Sequence, residues 1–184
     1  MYTIAGSFND GIDYEYGGIW LFPRKFTLAN YITVFTDARL YKAFFNTVIA
    51  TVAGVAGGLV FTSCVAYAMS HPKLKFHKVF WVINMITMFF GGGLIPYFML
   101  IKGIGLYNSF LVYIIPSLYS VYNMIVLTNF FRGIDNSMRE SAMLDGANEF
   151  RIWWSLYMPV SMPALATVGL WLTVGHWNLS LIHI

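Results

Sequence analysis

The sequence is poor in charge. Only 10% of its 184 residues are Asp, Glu, Lys or Arg, against about 25% in soluble domains. A soluble chain with so few charges cannot cover its surface, which sets aside a water-borne domain with a large core. The net charge of +3 is too small and too scattered for a nucleic-acid groove, and no basic stripe interleaves with stacking aromatics. Cysteine is nearly absent too. Cys64 stands alone, which excludes an intrachain disulfide and a cysteine-built metal site. Within its apolar run it reads as a small buried hydrophobe. The histidines, His71, His77, His176 and His183, make no pair at ligand spacing, so neither a metal site nor a catalytic residue is expected. A phosphate loop of the form G-x-x-x-x-G-K-[ST] is missing, because Gly91, Gly92 and Gly93 lead into Leu-Ile-Pro rather than a lysine. No charged stretch followed by an apolar core marks a signal peptide.

What the chain has is apolar bulk: 58% hydrophobic residues, 18% of the total aromatic. A helix needs about 20 mostly apolar residues to cross the hydrocarbon. Four stretches meet that length or approach it: 43–70, 76–101, 108–131 and 162–178. The first has no charge, and its Ala50, Ala53, Gly54, Gly57 and Gly58 suit close helix contact in lipid. The second contains FFGGGLIPYF, with Gly91, Gly92, Gly93 and Pro96 inside six residues. Glycine costs a helix about 1 kcal/mol and proline about 3, so a break or kink is expected there. Broken backbone at membrane depth must be covered by protein or line a cavity. The wall of a solute path and a packing kink fit it equally.

The expected fold is therefore all-α, a polytopic transmembrane helical bundle. Lys73, Lys75 and Lys78 lie in one loop and Arg132, Arg139 and Arg151 in another, while Lys102 alone occupies the loop between. By the positive-inside rule the first two loops face the cytoplasm. The margin is thin, since Arg24, Lys25, Arg39 and Lys42 fall on the outer side. Residues 1–42 differ in kind. NDGIDYEYGG is turn-rich, and FPRKFTLANYITVFTDARLYKAF reads as short amphipathic helices at the membrane surface.

One polar stretch interrupts the apolar chain: ESAMLDGANEFRIWWSLYMP, Glu140 to Pro159. Ser137 and Glu140 fit a capping box. A helix is expected through Ser141, Ala142, Met143 and Leu144, then a turn at Gly146, where φ can be positive without strain. A second helix, with Asp145 placed to cap it, sets Phe150, Trp153, Trp154 and Tyr157 at i, i+3, i+4 and i+7. That is one aromatic face for the interface. Pro159 and Pro163 then end it. Local physics alone permits nothing more than a capped surface turn here.

The spacing of Glu140-Ser141-Ala142, Gly146 and Pro159 resembles the EAA loop of ABC importer permeases, with Ser141 in place of the first alanine. SCVAYAMSHPKLKFHK, MFFGGGLIPYFMLIKGIGLYNS and VGHWN extend the likeness over residues 5–178. They are similar to the carbohydrate-uptake (MalG-like) branch and its polysaccharide or aldouronate-type subgroup. The resemblance implies a permease in the bacterial cytoplasmic membrane, with loop 132–162 as a cytoplasmic helix–turn–helix coupling loop. Glu140, Ser141, Ala142, Asp145, Gly146 and Ala147 would then meet an ATPase. It implies as partners a second permease subunit, a cytoplasmic ATPase dimer that binds the ATP and magnesium, an extracytoplasmic sugar-binding protein and membrane lipid. This chain itself is expected to hold no cofactor. Asn84, Phe89, Tyr119, Tyr122 and Asn123 are candidates for the sugar path, although each is more often a packing group or an interhelical hydrogen bond.

The family fold has six spans, so about four are present. IAGSF would be the remnant of a first span, and LSLIHI, residues 179–184, reads as non-native. Other readings are a permease for amino acids, phosphate or metal ions, a passive channel, or a membrane enzyme. An enzyme would want paired carboxylates or a histidine beside them, and Glu140, Asp145 and Glu149 cluster with no histidine near them in sequence.

Overall fold

A computed structural model describes residues 2–15, 17 and 22–178. The suggestion that 179–184 are non-native lies outside the described residues. The described residues are helical, with a single antiparallel bridge, Asn9 to Phe26, as their only β pairing. The chain forms two compact units, residues 1–47 and 48–184.

The first unit holds α1 (Tyr2–Ser7), α2 (Gly11–Glu15) and α3 (Ala29–Thr36). Asn9 organises it. Its fully buried side chain donates to Asp13 at 3.0 Å and accepts from the Lys25 amide at 2.8 Å. Asn30 donates to the Asn9 carbonyl at 2.8 Å, and Phe8 stacks on Phe26 at 5.6 Å. The run expected to form short surface helices does so only as far as Thr36. Asp37 then accepts from the Arg39 amide at 2.9 Å and starts α4 (Ala38–Ser70), which is 33 residues long. The first span thus begins five residues earlier than its uncharged stretch. At ~1.5 Å per residue it reaches ~50 Å, well over the ~30 Å of hydrocarbon, so its charged first turns need not enter lipid.

The second unit contains the bundle. Among the described residues, α4 is the one helix long and apolar enough to cross alone, and the count rises to four if each of three bent pairs is one span. The expected 76–101 span is broken. Helix α5 (His77–Phe89) stops, Gly91 to Gly93 carry no helix, and α6 (Leu94–Gly103) departs at 116°. Gly93 sits at φ +80°, a conformation an L side chain resists. Pro96 falls in the first turn of α6, where its missing N–H costs nothing. The expected 108–131 span is not one helix either. It opens as 3-10 turns at Phe110–Tyr113 and Ile115–Ser117, the latter around Pro116, and only then becomes α7 (Val121–Arg132). The two parts meet at 44°. The last apolar helix, residues 162–177, matches its expected position.

Membrane chemistry shows in what is buried and what is not. Polar side chains bridge helices: Thr62 donates to the Leu118 carbonyl at 3.3 Å, and Thr128 to the Ala66 carbonyl at 3.4 Å. Helix α5 buries no residue and exposes Val79, Phe80, Val82 and Ile83, a face suited to lipid or to other helices. Cys64, expected inside, is exposed. It lies on the side of α4 away from Ser63 and Ala66, which are fully buried.

Close approach of helices is specific at Gly54. A Cβ there would lie 2.2 Å from Cε1 of His176, whose ring is 6% exposed. Gly54→Val therefore overpacks the contact. We expect a loss of about 1–3 kcal/mol, read as a lower thermal transition in mild detergent. His176→Ala in the same chain should recover much of it. Failure of that rescue would place the damage elsewhere.

Candidate functional site

The site is the polar loop between α7 and the last span. Helix α8 (Asn136–Leu144) opens it. Its cap is Asp135, whose Oδ1 accepts from the Ser137 amide at 2.9 Å. This corrects the expected Ser137–Glu140 capping box. With Asp135 at the cap, Ser137 enters the first turn and Glu140 lies two residues past the position from which it could reach back. At the other end Asp145 closes α8 rather than capping the next helix. The Ala147 amide donates to the Ala142 carbonyl and the Gly146 amide to Met143, both at 3.0 Å. With Gly146 at φ +81°, this is a Schellman turn. Asn148 caps the helix after the turn, accepting from the Arg151 amide at 2.8 Å.

The second arm is α9 (Glu149–Ile152), a π-helical turn over Trp153–Tyr157, and α10 (Met158–Val160). The expected single aromatic face splits here. Trp153 and Tyr157 are buried with Ile152, while Phe150 and Trp154 are exposed. In the π turn, bonds run i to i+5, as from the Met158 amide to the Trp153 carbonyl, so the 3.6-residue spacing does not hold. At Ser161 the chain bends by 84° into α11 (Met162–Trp177). The second arm therefore runs across the direction of the last span and lies outside it.

A charged latch ties the two arms to each other and to α4. Arg139 on α8 is ion-paired with Glu149 on α9. The Tyr67 hydroxyl on α4 donates to the other Glu149 oxygen at 2.5 Å, and His71 Nε2 lies 3.8 Å from the carboxylate. Burial alone would raise the Glu149 pKa, but the hydrogen bonds from Arg139 and Tyr67 and the Arg139 charge outweigh it and hold the carboxyl below the usual range. The bond to Glu149 raises Arg139. Burial, then the Arg139 charge, lowers His71. The clustering of Glu149 with other acids is visible in sequence, but its partners are 10 and 82 residues away, and no local pattern pairs them.

Of the six residues expected to meet an ATPase, Glu140, Ser141, Asp145 and Gly146 are exposed. Ala142 and Ala147 are half-buried against the core that includes Phe131 and Trp153. Their small size lets α8 lie close to the bundle. Leu144, which the sequence pattern does not single out, is 89% exposed at the tip of α8, flanked by exposed Met143. A large apolar side chain raised on a polar helix suits a protein partner. The candidate path residues do not form one cluster. Tyr119 donates to Asn84 and meets Phe61 edge-on at 5.9 Å. Tyr122 packs on Trp171 at 5.6 Å, Asn123 is buried, and Phe89 is exposed at the α5 break.

The chain is similar in sequence and in fold to known proteins. Residues 79–182 match the family described as binding-protein-dependent transport system inner membrane component. The chain is 34% identical over 178 residues to a polygalacturonan/rhamnogalacturonan transport system permease protein of Bacillus subtilis, covering 97% of this chain and 62% of that protein. It is 27% identical over 180 residues to an arabinooligosaccharides transport system permease protein of Halalkalibacterium halodurans, covering 95% and 64%. It superposes with a TM-score of 0.89 and 33% identity on a crystal structure of a bacterial ABC transporter involved in the import of the acidic polysaccharide alginate, over 96% of this chain and 63% of that one. The chain thus spans about three-fifths of the length of these relatives. A family match over more than half its residues, on an all-helical apolar bundle carrying the capped polar loop, makes this chain a member of the binding-protein-dependent transport system inner membrane component family.

Proposed function

We propose that the chain is the membrane-spanning part of a permease subunit in an ATP-driven importer of oligosaccharides, set in a bacterial cytoplasmic membrane as a multi-pass protein. The observation that carries this reading is the loop itself. A two-arm element, capped at Asp135 and Asn148 and latched to α4, holds an exposed helix whose tip is Leu144. On this reading α8 docks in a cytoplasmic ATPase, with Glu140, Ser141, Asp145 and Gly146 at the contact and Ala142 and Ala147 supporting it from beneath. Exposed Glu140 and Asp145 offer charge-assisted hydrogen bonds. ATP and magnesium belong to that partner. Closure of the ATPase would push α8, and the Arg139–Glu149–Tyr67 latch would pass the displacement to α4 as rigid-body rocking. A companion permease and an extracytoplasmic sugar-binding protein complete the assembly, with Asn84, Phe89, Tyr119, Tyr122 and Asn123 as candidates for the path. The names of the polygalacturonan and alginate relatives favour an oligosaccharide rich in uronic acids as the cargo.

The test is ATP-dependent accumulation of an oligogalacturonide in proteoliposomes holding the chain, its companion permease, the ATPase and the binding protein. We expect accumulation with the native chain and a loss of about thirtyfold with Leu144→Asp, since a desolvated apolar anchor is worth about 2 kcal/mol. Uptake of an amino acid or phosphate instead would move the chain to another importer branch. Equilibration of the sugar across the membrane without ATP would make it a passive channel.

A further inference from the structure

Beside the latch lies a cavity of about 460 Å³ whose wall carries His71, His77, Lys78, Arg132 and Arg139 and no carboxylate. It is built from ends of helices: the last turn of α4, the first of α5, the last of α7 and the start of α8. In a membrane protein such ends mark the boundary between hydrocarbon and water. Arg139 is balanced by Glu149, although its Nε is buried with no hydrogen-bond partner among the described residues. Arg132 has no carboxylate partner among the described residues. Groups other than carboxylates hold it instead. It donates to the Met69 carbonyl at 3.3 Å and to His77 Nε2 at 2.8 Å, and it lies 5.6 Å over the Trp81 ring. Trp81 Nε1 lies 2.8 Å from the same His77 nitrogen, which is also 3.2 Å from the Met69 carbonyl. An arginine oriented in this way, next to the exposed Lys78, presents positive charge that nothing in the described chain neutralises.

We propose that this cavity binds a phosphate-bearing anion, supplied by the headgroup of an anionic phospholipid. Guanidinium and phosphate match in geometry and charge, and basic pockets between helix ends on the cytoplasmic side suit lipid phosphates. A lipid fits better than a soluble anion because α5 continues from Lys78 with Val79, Phe80, Val82 and Ile83 exposed, a surface for acyl chains. Such a ligand would brace the α4–α5 and α7–α8 junctions from which the loop springs. The inference rests on the cytoplasmic placement of these loops in the proposed reading and does not depend on what is carried.

The test measures retention of phosphatidylglycerol against phosphatidylcholine by the whole chain in neutral detergent, using native mass spectrometry. The native chain should prefer phosphatidylglycerol. Arg132→Gln should weaken that preference about tenfold and Lys78→Gln about fivefold, the worth of one basic residue at a lipid surface. Arg132→Lys should keep most of it, and Lys102→Gln, remote from the cavity, all of it. Lys78 is exposed, so its variant tests the site even if Arg132→Gln disturbs folding, which circular dichroism would reveal. Displacement of the lipid by millimolar inorganic phosphate keeps the anion site and assigns it to free phosphate. Equal retention of both lipids, or an equal loss with Lys102→Gln, overturns the proposal. So does unchanged lipid binding by Arg132→Gln when ATPase association falls, because the cavity would then serve a partner's carboxylate.

Discussion

On the proposed reading, Gly146→Val should uncouple transport from ATP hydrolysis while leaving the chain in the membrane. We expect sugar-stimulated ATP hydrolysis in the reconstituted assembly to fall at least tenfold, with expression and membrane insertion unchanged. The cause is conformational. Gly146 sits at φ +81° with open space around the position of a Cβ, so a side chain meets no neighbour but must occupy left-handed backbone. For a β-branched residue that costs about 2 kcal/mol, roughly a thirtyfold shift against the turn. The Gly146 and Ala147 amides then lose their bonds to Met143 and Ala142, and the angle between the arms is no longer set. Gly146→Asn separates this from any contact effect. Asparagine tolerates left-handed backbone, so most of the stimulation should survive. Equal damage from Asn and Val would mean that the surface, and not the turn, matters.

Glu149→Ala should loosen the loop from α4. It leaves Arg139, whose side chain is only 12% exposed, without its carboxylate, and Tyr67 without its acceptor. Breaking a buried pair on one side costs about 3–5 kcal/mol. Glu149 is itself 50% exposed, so about 2 kcal/mol is expected. Amide hydrogen exchange over 136–157 should speed up about thirtyfold, with little change in α11. Acid should act in the same direction. Glu149 and His71 both have folded pKa values below their ordinary ones of 4.5 and 6.5. The opened state therefore binds more protons than the closed one, and stability rises with pH. The latch is fully present above about pH 6.5. It weakens as the pH falls, first through protonation of the opened state at His71, then through Glu149 below about pH 4.5. Protection that stays constant from pH 7 to pH 4 would show that the pair does not hold the loop.

The loop is legible in the sequence where chemistry is local. Glycine before a polar helix restart marks the turn at Gly146, and three glycines mark the break between α5 and α6. Local reading fails where equivalent residues compete. Asp135 and Ser137 both cap well, and the carboxylate takes the position. Asp145 and Asn148 compete in the same way. The span over 108–131 reads as continuous because hydropathy does not register Pro116 and its 3-10 turns. The aromatic stripe from Phe150 to Tyr157 reads as one face because the π turn changes the period without changing the composition. The latch and the basic cavity join residues far apart in sequence, so only the packed bundle brings them together. Leu144 does carry a local signal. Five of the nine residues of α8 are Asn, Ser, Arg or Glu, and its leucine stands at the end next to Met143, on the open side of the helix.

The most direct measurement is photocross-linking from Leu144, carrying a benzoylphenylalanine, in membranes that also hold the ATPase. Our account predicts an adduct with the ATPase from position 144 and none from the same probe at exposed Tyr107, on the loop between the second and third apolar stretches. No adduct at 144, or equal adducts at both positions, would contradict it.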